Sequence, residues 1–114
     1  KEWRKKMEQY KTQWLLNKYY EIYKKNYKSY PTEEEKEFLK LFLDINSDFR
    51  NKRIYYDTLY NFNRWIPRLF IYYITKFQIL KDFKQMNASK HLIALSSEFA
   101  KFTVNYALKA YCKN

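Results

Sequence analysis

The hydrophobic pattern is strongest from Trp65 to Phe83, where the sequence is WIPRLFIYYITKFQILKDF. Ten of the fifteen residues from Leu69 to Phe83 are apolar or aromatic, and they cover nearly all sides of a helix. A helix of this kind must be buried on several sides, so we predict a central core helix that opens at Arg68 and ends by Met86-Asn87. The longest uncharged run, Leu69 to Thr75, has seven residues, whereas a membrane span needs about 20. A transmembrane helix is therefore not predicted.

Residues 1 to 30 predict a long first helix whose apolar stripe changes side near Trp14. The first stripe consists of Trp3, Met7, Tyr10 and Trp14. The second consists of Leu16, Tyr20, Tyr23, Tyr27 and Tyr30, flanked by Leu15, Tyr19 and Ile22. At about 100° per residue the two stripes point nearly opposite ways. The second stripe is expected to face the bundle, and the line of the first continues as Lys18, Glu21, Lys25 and Lys28.

Two interpretations of residues 1–14 remain open. In one, the helix kinks or ends near Trp14, and both stripes belong to the core. In the other, residues 1–14 form an arm outside the bundle that packs on a ligand, a neighbouring subunit or a membrane. The basic residues of this half, Arg4, Lys5, Lys6 and Lys11, keep the second interpretation in view.

A second helix is predicted from residue 32 to about residue 48. Tyr30 and Pro31 should end the first helix, because the residue before proline is pushed out of the α region. Thr32 is a suitable N-cap, and Glu35 three residues later completes a capping box. The predicted buried positions are Phe38, Leu41, Phe42 and Ile45, and the helix should stop around Asn46-Ser47-Asp48.

A third helix is predicted over residues 49–65, capped by Ser47 or Asp48. Its apolar face is Tyr55, Leu59, Phe62 and Ile66, with Ile54 and Trp65 at one margin. The opposite face places several polar residues within about 80° of one another, namely Arg50, Arg53, Asp57, Asn61, Arg64 and Arg68. Pro67 either kinks one long helix or begins the next, and we favour the latter.

The last predicted helix spans about 90–112 and can be capped by Ser89. Its apolar run follows spacings of 3, 4, 3 and 4, through Leu92, Leu95, Phe99, Phe102 and Tyr106.

The composition indicates an all-α fold. The sequence contains no glycine, and because β-hairpins rely on glycine at positive φ, a β protein is not expected. With 46% hydrophobic and 22% aromatic residues, a disordered chain is also excluded. We predict an all-α single domain over residues 1–114, a four-helix bundle with a long N-terminal helix or arm.

The net charge of +11 is concentrated in two segments. Residues 1–31 carry nine basic and three acidic side chains, net +6, and residues 49–90 carry nine and two, net +7. Residues 32–48 carry two and six, net −4. Such an excess points to nucleic acid, an anionic membrane or an acidic protein as partner.

The sequence offers no catalytic or metal-binding constellation. His91 is the single histidine and Cys112 the single cysteine, so neither a Cys/His pair nor a histidine metal cluster can be built. One cysteine also excludes an internal disulfide. Without glycine there is no P-loop or dinucleotide fingerprint. We therefore expect no enzyme, no cofactor and no metal, and we interpret His91 as a surface or capping residue.

Binding through charge and aromatic residues is the remaining class of function. The planar fork of arginine suits phosphate, so Arg50, Arg53, Arg64 and Arg68, with the first-helix lysines Lys18, Lys25 and Lys28, could follow a phosphate backbone. The arginine line could instead be a solvated face or pair internally, as Arg53 with Asp57. Contacts to nucleic acid should be independent of base sequence and strongly salt-dependent.

In style the whole chain resembles the major coat proteins of enveloped filamentous archaeal viruses, the lipothrixviruses, which are akin to the rod-shaped rudiviruses. The resemblance lies in the glycine-free, Lys/Tyr/Ile-rich composition, the opening Trp3-Arg4-Lys5-Lys6 and the junction from Asn63 to Arg68. It implies a four-helix bundle that coats double-stranded DNA in a virion and assembles with like or paralogous subunits. It also implies that Arg4, Lys5, Lys6 and Lys11 contact DNA, while residues 90–112 lie nearer a lipid envelope. Trp3, Tyr10 and Trp14 would then pack on a neighbouring subunit or on DNA.

A second resemblance is to helical domains exported by malaria parasites, including the tryptophan-rich antigens. It rests on the Lys, Asn and Tyr bias with spaced tryptophans. It implies binding of lipid or a host protein, at the host cell or the parasite surface. Because the chain begins at Lys1 rather than methionine, we expect a fragment or a processed form.

Overall fold

The protein is described from a computed structural model. Its backbone is described for residues 2–45 and 68–111, and its side chains for residues 12–45 and 69–106. All elements in these ranges are α-helices, which confirms the predicted all-α class. They are α1 (Glu2–Tyr27), α2 (Glu33–Ile45), α3 (Arg68–Gln85), α4 (Lys90–Ala94) and α5 (Ser96–Tyr111). The helix predicted over residues 49–65 and the role of Pro67 lie outside the described residues.

The chain divides into two compact units, Lys1–Phe49 and Arg50–Asn114. In the first unit α1 packs against α2, and the apolar side chains Leu15, Leu16, Tyr19 and Tyr23 of α1 are buried. In the second unit α3 packs against α5, with the short α4 beside both. The first half of α1 continues into the second as helix, so the helix does not end near Trp14.

The first helix ends at Tyr27, three residues before the predicted stop at Tyr30. Lys28 has a left-handed backbone, with φ of 64°, and its N–H donates to the Lys24 carbonyl at 2.7 Å. This is the αL form of helix C-cap, usually made by glycine. The rule for the residue before proline sets only the latest possible end of the helix, and the earlier end is fixed by this cap.

Replacing Lys28 with glycine is expected to stabilise the first unit by about 0.5–1 kcal/mol, because glycine adopts the left-handed region without a Cβ clash. Urea unfolding measures the change. Asn87 is the matched site, since it also has a left-handed backbone, with φ of 60°. Asparagine tolerates this region better than lysine, so Asn87→Gly should give a smaller gain. A loss of stability in Lys28→Gly would contradict the account of this cap.

The predicted capping box at the start of α2 is confirmed. The Thr32 N–H donates to Glu35 Oε1 at 3.0 Å, and the Glu35 N–H donates to Thr32 Oγ1 at 3.2 Å. The Glu35 side chain is buried, and its Oε1 also accepts a hydrogen bond from the Tyr23 hydroxyl at 2.9 Å. One carboxylate therefore caps α2 and ties it to α1.

The predicted buried face of α2 is wrong in part. Phe42 is buried as predicted and Phe38 is half-buried, but Leu41 and Ile45 are exposed, at 54% and 62%. The helix instead buries Glu35, Leu39 and Leu43 with Phe42. This face is rotated by roughly a quarter turn from the predicted one. The reason is that Glu35 must face Tyr23, and Leu39 and Phe42 lie on the same side of α2 as Glu35.

Tyr23 makes the first unit sensitive to alkaline pH. Burial, the hydrogen bond and charge of Glu35, and the charge of Tyr27 raise the pKa of Tyr23 from 10.0 to about 12. Since the folded chain holds this proton more tightly than the unfolded chain, the stabilisation is complete below about pH 10. It is lost as the pH rises to about 12, by roughly 2–3 kcal/mol.

A Tyr23→Phe variant lacks this titration. The free energy of unfolding of the wild type should therefore fall more steeply than that of the variant between about pH 10 and pH 12. The control is Tyr30→Phe, because the Tyr30 side chain is 54% exposed. Parallel curves for the wild type and Tyr23→Phe would refute the role given to this buried phenol.

The prediction that the 68–85 helix is buried on several sides is wrong. One line of α3 is buried, formed by Ile71, Thr75, Ile79 and Phe83. The other side exposes five large side chains: Leu69 at 57%, Phe70 at 55%, Tyr73 at 41%, Ile74 at 40% and Phe77 at 63%. We call these five the apolar stripe of α3. The predicted end near Met86 is confirmed, since α3 ends at Gln85.

The turn after α3 is a Schellman motif built without glycine. The Ala88 N–H donates to the Phe83 carbonyl at 2.9 Å, and the Asn87 N–H to the Lys84 carbonyl at 3.2 Å, which is the paired bonding of that motif. Ser89 then caps α4 as predicted, because its side chain accepts from the Leu92 N–H at 3.2 Å.

The helix predicted over residues 90–112 is broken at Leu95. The Leu95 N–H donates to the Leu92 carbonyl at 3.0 Å, a bond that spans three residues instead of the four of an α-helix. Ser96 Oγ donates to the Ile93 carbonyl at 2.7 Å. A side-chain hydroxyl that bonds a backbone carbonyl can substitute for a helical hydrogen bond, and the Ser96 hydroxyl stabilises the turn at Leu95 in this way. Leu92, Leu95 and Phe99 are buried, as their spacing predicts.

Candidate polyanion-binding face

The solvent side of α1 carries the candidate binding residues whose side chains are described. Trp14 is 44% exposed, Lys25 and Lys28 are exposed, and Lys18 is half-buried. The opposite side buries Leu16, Tyr19 and Tyr23. The switch of the apolar stripe at Trp14 produces this arrangement, because burial of the second stripe turns the lysine line outward. We call Trp14, Lys18 and Lys25, together with Lys28 just beyond the end of the helix, the basic face of α1.

The N-terminal part of this face is held by local contacts. Lys18 Nζ lies 3.4 Å from Glu21 Oε2 and 5.5 Å from the centre of the Trp14 ring. An exposed ion pair one turn apart contributes only a few tenths of a kcal/mol. These contacts position the Lys18 ammonium beside the indole, but they are weak enough for it to exchange Glu21 for a phosphate.

Lys25 and Lys28 lie at the C-terminal end of the basic face. Within the part of the chain that the structure describes, no carboxylate forms an ion pair with either ammonium group. Lys25 lies in the last turn of α1, and Lys28 is the first residue after the helix ends. Both side chains are exposed, so two flexible cationic groups are available at this end of the unit.

Lys24 makes a contact with Tyr30 that the sequence did not predict. Its Nζ lies 4.4 Å from the centre of the Tyr30 ring and 3.5 Å from the Tyr30 hydroxyl. Helical periodicity does not predict this contact, because Tyr30 lies beyond the end of α1 and is brought back toward the helix by the turn at Lys28. Lys24 is exposed and borders the basic face.

The neighbouring helix α2 has the opposite character. Its first turn exposes Glu33 and Glu34, and Glu33 Oε1 lies 3.4 Å from Lys36 Nζ. Exposed carboxylates at a helix N-terminus interact favourably with the helix dipole. A polyanion on this unit should therefore follow α1 and avoid the start of α2.

The remaining candidate residues have side chains outside the described part of the chain. The backbone of α1 carries Trp3, Arg4, Lys5, Lys6, Tyr10 and Lys11, and Arg68 is the first residue of α3. Arg50, Arg53 and Arg64 lie in the undescribed range 46–67. The arginine line across residues 50–68 thus stays a prediction.

Among residues 2–45 and 68–111, no group of three or more His, Cys, Asp or Glu side chains is arranged to hold a metal ion. Over the same ranges, no helix has both the length and the hydropathy of a membrane span. His91 is exposed near the start of α4, as predicted.

Comparison with known proteins identifies no relative. No protein-family model matches the sequence, and neither the curated proteins nor the solved structures give a significant match. The function must therefore be argued from the residues and their placement.

Proposed function

We propose that this chain is a structural, DNA-binding protein that contacts the phosphate backbone without reading base sequence, as a coat subunit does. The observation that carries the proposal is the basic face of α1. There Lys25 is exposed on the side of α1 opposite the buried Tyr19 and Tyr23, and Lys28 is exposed just beyond the end of the helix. Positive side chains in a line along one helix can contact several phosphates of one polyanion, whereas lysines scattered over the surface cannot.

The physical basis of binding would be release of counterions. Each lysine that neutralises a phosphate frees a condensed cation, and the affinity gains in proportion to the number of contacts. Lysine supplies a mobile point charge rather than a geometric fork, which suits a contact that does not depend on base sequence. Trp14 beside Lys18 adds an aromatic surface for a sugar or for a neighbouring subunit.

We also propose that the chain folds as a four-helix bundle, and that assembly of many subunits supplies most of the affinity for DNA. The bundle is supported by the two helix pairs, α1 with α2 and α3 with α5. The proposal also includes the arginine line and the basic residues of the first 14 positions as further phosphate contacts. Many subunits bound side by side on one duplex would gain strength by avidity, so a single subunit can bind weakly.

A pair of charge-matched variants tests which lysines bind. Lys25→Gln with Lys28→Gln removes two charges from the basic face. Lys40→Gln with Lys90→Gln removes two charges from exposed positions elsewhere. The first pair should lower the salt-dependence slope of duplex-DNA binding by about 1.8, since each phosphate contact contributes about 0.9. The control pair should change the slope by less than half as much.

Two outcomes would count against the proposal. Equal effects of the two variant pairs would mean that the charge acts diffusely and that α1 is not a binding face. Strong capture by liposomes of phosphatidylserine and phosphatidylcholine, without binding of duplex DNA, would favour the lipid-binding function instead.

A further inference from the structure

The apolar stripe of α3 is exposed on a helix whose other side is already packed. Ile71, Thr75, Ile79 and Phe83 are buried in the second unit, and α3 packs against α5. Among the described side chains of residues 69–106, the five stripe residues therefore lie outside the core that α3 forms with α5. Their rings and aliphatic groups expose roughly 500 Å², judged from the usual area of such side chains. A patch of this size lies at the upper end for a monomer and commonly marks an interaction site.

The charges at the end of the stripe restrict its possible partners. At about 100° per residue, Lys81 and Lys84 lie on the same side of α3 as Phe70 and Phe77, and both lysines are exposed. They follow the stripe on its C-terminal side, and the half-buried Lys76 lies at one margin of the stripe. A helix that lies in a membrane interface carries its lysines along a free polar face. The face of α3 opposite the stripe is instead buried against α5, so a lipid surface fits poorly.

We propose that the apolar stripe of α3 is the interface of a symmetric homodimer, in which two copies of α3 pack antiparallel. A two-fold axis between Tyr73 and Ile74 would place Phe70 of one copy opposite Phe77 of the other, and Tyr73 opposite Ile74. One pair of Phe70 with Phe77 would then lie on each side of the two-fold axis. The two stripes together supply roughly 1,000 Å² of buried surface, the size at which specific interfaces begin.

The antiparallel arrangement separates the two lysines that follow the stripe, Lys81 and Lys84, from their own copies. About this axis the two copies of Lys81 are about 20 Å apart and the two copies of Lys84 about 30 Å, from the rise of 1.5 Å per residue. Both distances exceed the Debye length of about 10 Å at 0.1 M salt. A parallel pair would bring each lysine beside its own copy, at the helix separation of about 8–10 Å. Repulsion thus disfavours the parallel form.

The homodimer extends the proposed assembly of coat subunits, and it is tested without DNA, so that failure of dimerisation and failure of DNA binding are observed separately. Sedimentation equilibrium of the full chain should show a monomer–dimer equilibrium. Phe77→Glu should raise the dimer dissociation constant at least about 100-fold, because the symmetric dimer loses an aromatic anchor twice. The control is Leu41→Glu, an exposed apolar residue of α2, which should leave the dissociation constant unchanged. Circular dichroism verifies that both variants remain helical.

Disulfide cross-linking tests the orientation independently of affinity. In a Cys112→Ser background, a chain with Phe70→Cys should cross-link to a chain with Phe77→Cys, and neither should cross-link efficiently to itself. Preferential Phe70→Cys self-cross-linking would overturn the antiparallel arrangement. A wild-type chain that stays monomeric at high concentration, or that binds anionic vesicles through Phe77 while remaining monomeric, would overturn the homodimer itself.

Discussion

Replacing Phe83 with alanine is expected to lower the free energy of unfolding of the second unit by about 3–5 kcal/mol. Phe83 is 0% exposed and meets the fully buried Phe99 of α5. The ring centroids are 5.9 Å apart at an interplanar angle of 76°, an edge-to-face contact. Alanine would lose this contact and leave a cavity between α3 and α5. Because domains of this size are stable by only about 5–15 kcal/mol, the variant should be partly unfolded or strongly destabilised.

Phe77→Ala is the matched control for Phe83→Ala. The two residues have the same chemistry and lie on the same helix, but Phe77 is 63% exposed. Urea unfolding, followed by circular dichroism at concentrations where the chain is monomeric, should show a change within about 0.5 kcal/mol for Phe77→Ala. Equal losses in the two variants would mean that Phe77 contributes as much to the core as Phe83, which would contradict the assignment of the Phe83 line as the buried side of α3.

Replacing Glu35 with alanine is expected to destabilise the first unit by about 2–4 kcal/mol. The substitution removes half of the capping box, worth about 1 kcal/mol. It also leaves the buried Tyr23 hydroxyl without the acceptor that now lies 2.9 Å away, which costs a further 1–3 kcal/mol or so. Glu35 is thus a structural residue that holds α2 against α1, although it stands within an acidic run.

Two comparisons isolate these contributions. Glu34→Ala removes an exposed carboxylate from the same helical turn, and it should cost at most about 0.5–1 kcal/mol through the helix dipole. In a double-mutant cycle, Glu35→Ala and Tyr23→Phe should show a coupling free energy of about 1–3 kcal/mol. Additive effects would show that the buried hydrogen bond contributes nothing to stability.

Local signals in the sequence were sufficient for the ends of several helices. The Thr32 and Glu35 capping box and the Ser89 cap were predictable, because each depends on side chains that bond backbone groups within three residues. The end of α1 was not predictable to the residue. A left-handed cap is usually signalled by glycine, and here Lys28 adopts it in a chain that contains none.

The orientation of the helices could be predicted only where the apolar pattern is one-sided. In the second half of α1 the lysine line and the tyrosine stripe are opposed, and the structure buries Leu16, Tyr19 and Tyr23 on the expected side. Tyr30 was expected on that side too, but it lies beyond the end of the helix and is exposed. In α3 apolar residues surround the helix, so periodicity does not select a face. The choice of Ile71, Thr75 and Ile79 depends on the packing against α5, which the sequence of α3 does not contain.

The residues of the candidate site, too, could be predicted only where the apolar pattern of the helix is one-sided. The sequence identified Lys25 and Lys28 as members of a solvent-facing line, because burial of the opposite stripe follows from helix geometry. It missed the contact of Lys24 with Tyr30, which depends on the turn at Lys28. It also assigned Phe70 and Phe77 to the core, and so it gave no indication that α3 presents an apolar surface.

The central claim is that positive charge on α1 is arranged to bind the phosphate backbone of DNA. The most direct test is the affinity of the full chain for duplex DNA across a salt series, measured by fluorescence anisotropy. We predict that the logarithm of the association constant falls linearly with the logarithm of the salt concentration, with a slope steeper than about −2. Replacing Lys25 and Lys28 with glutamine should reduce that slope by about 1.8. An affinity that does not change between low and moderate salt would contradict the claim.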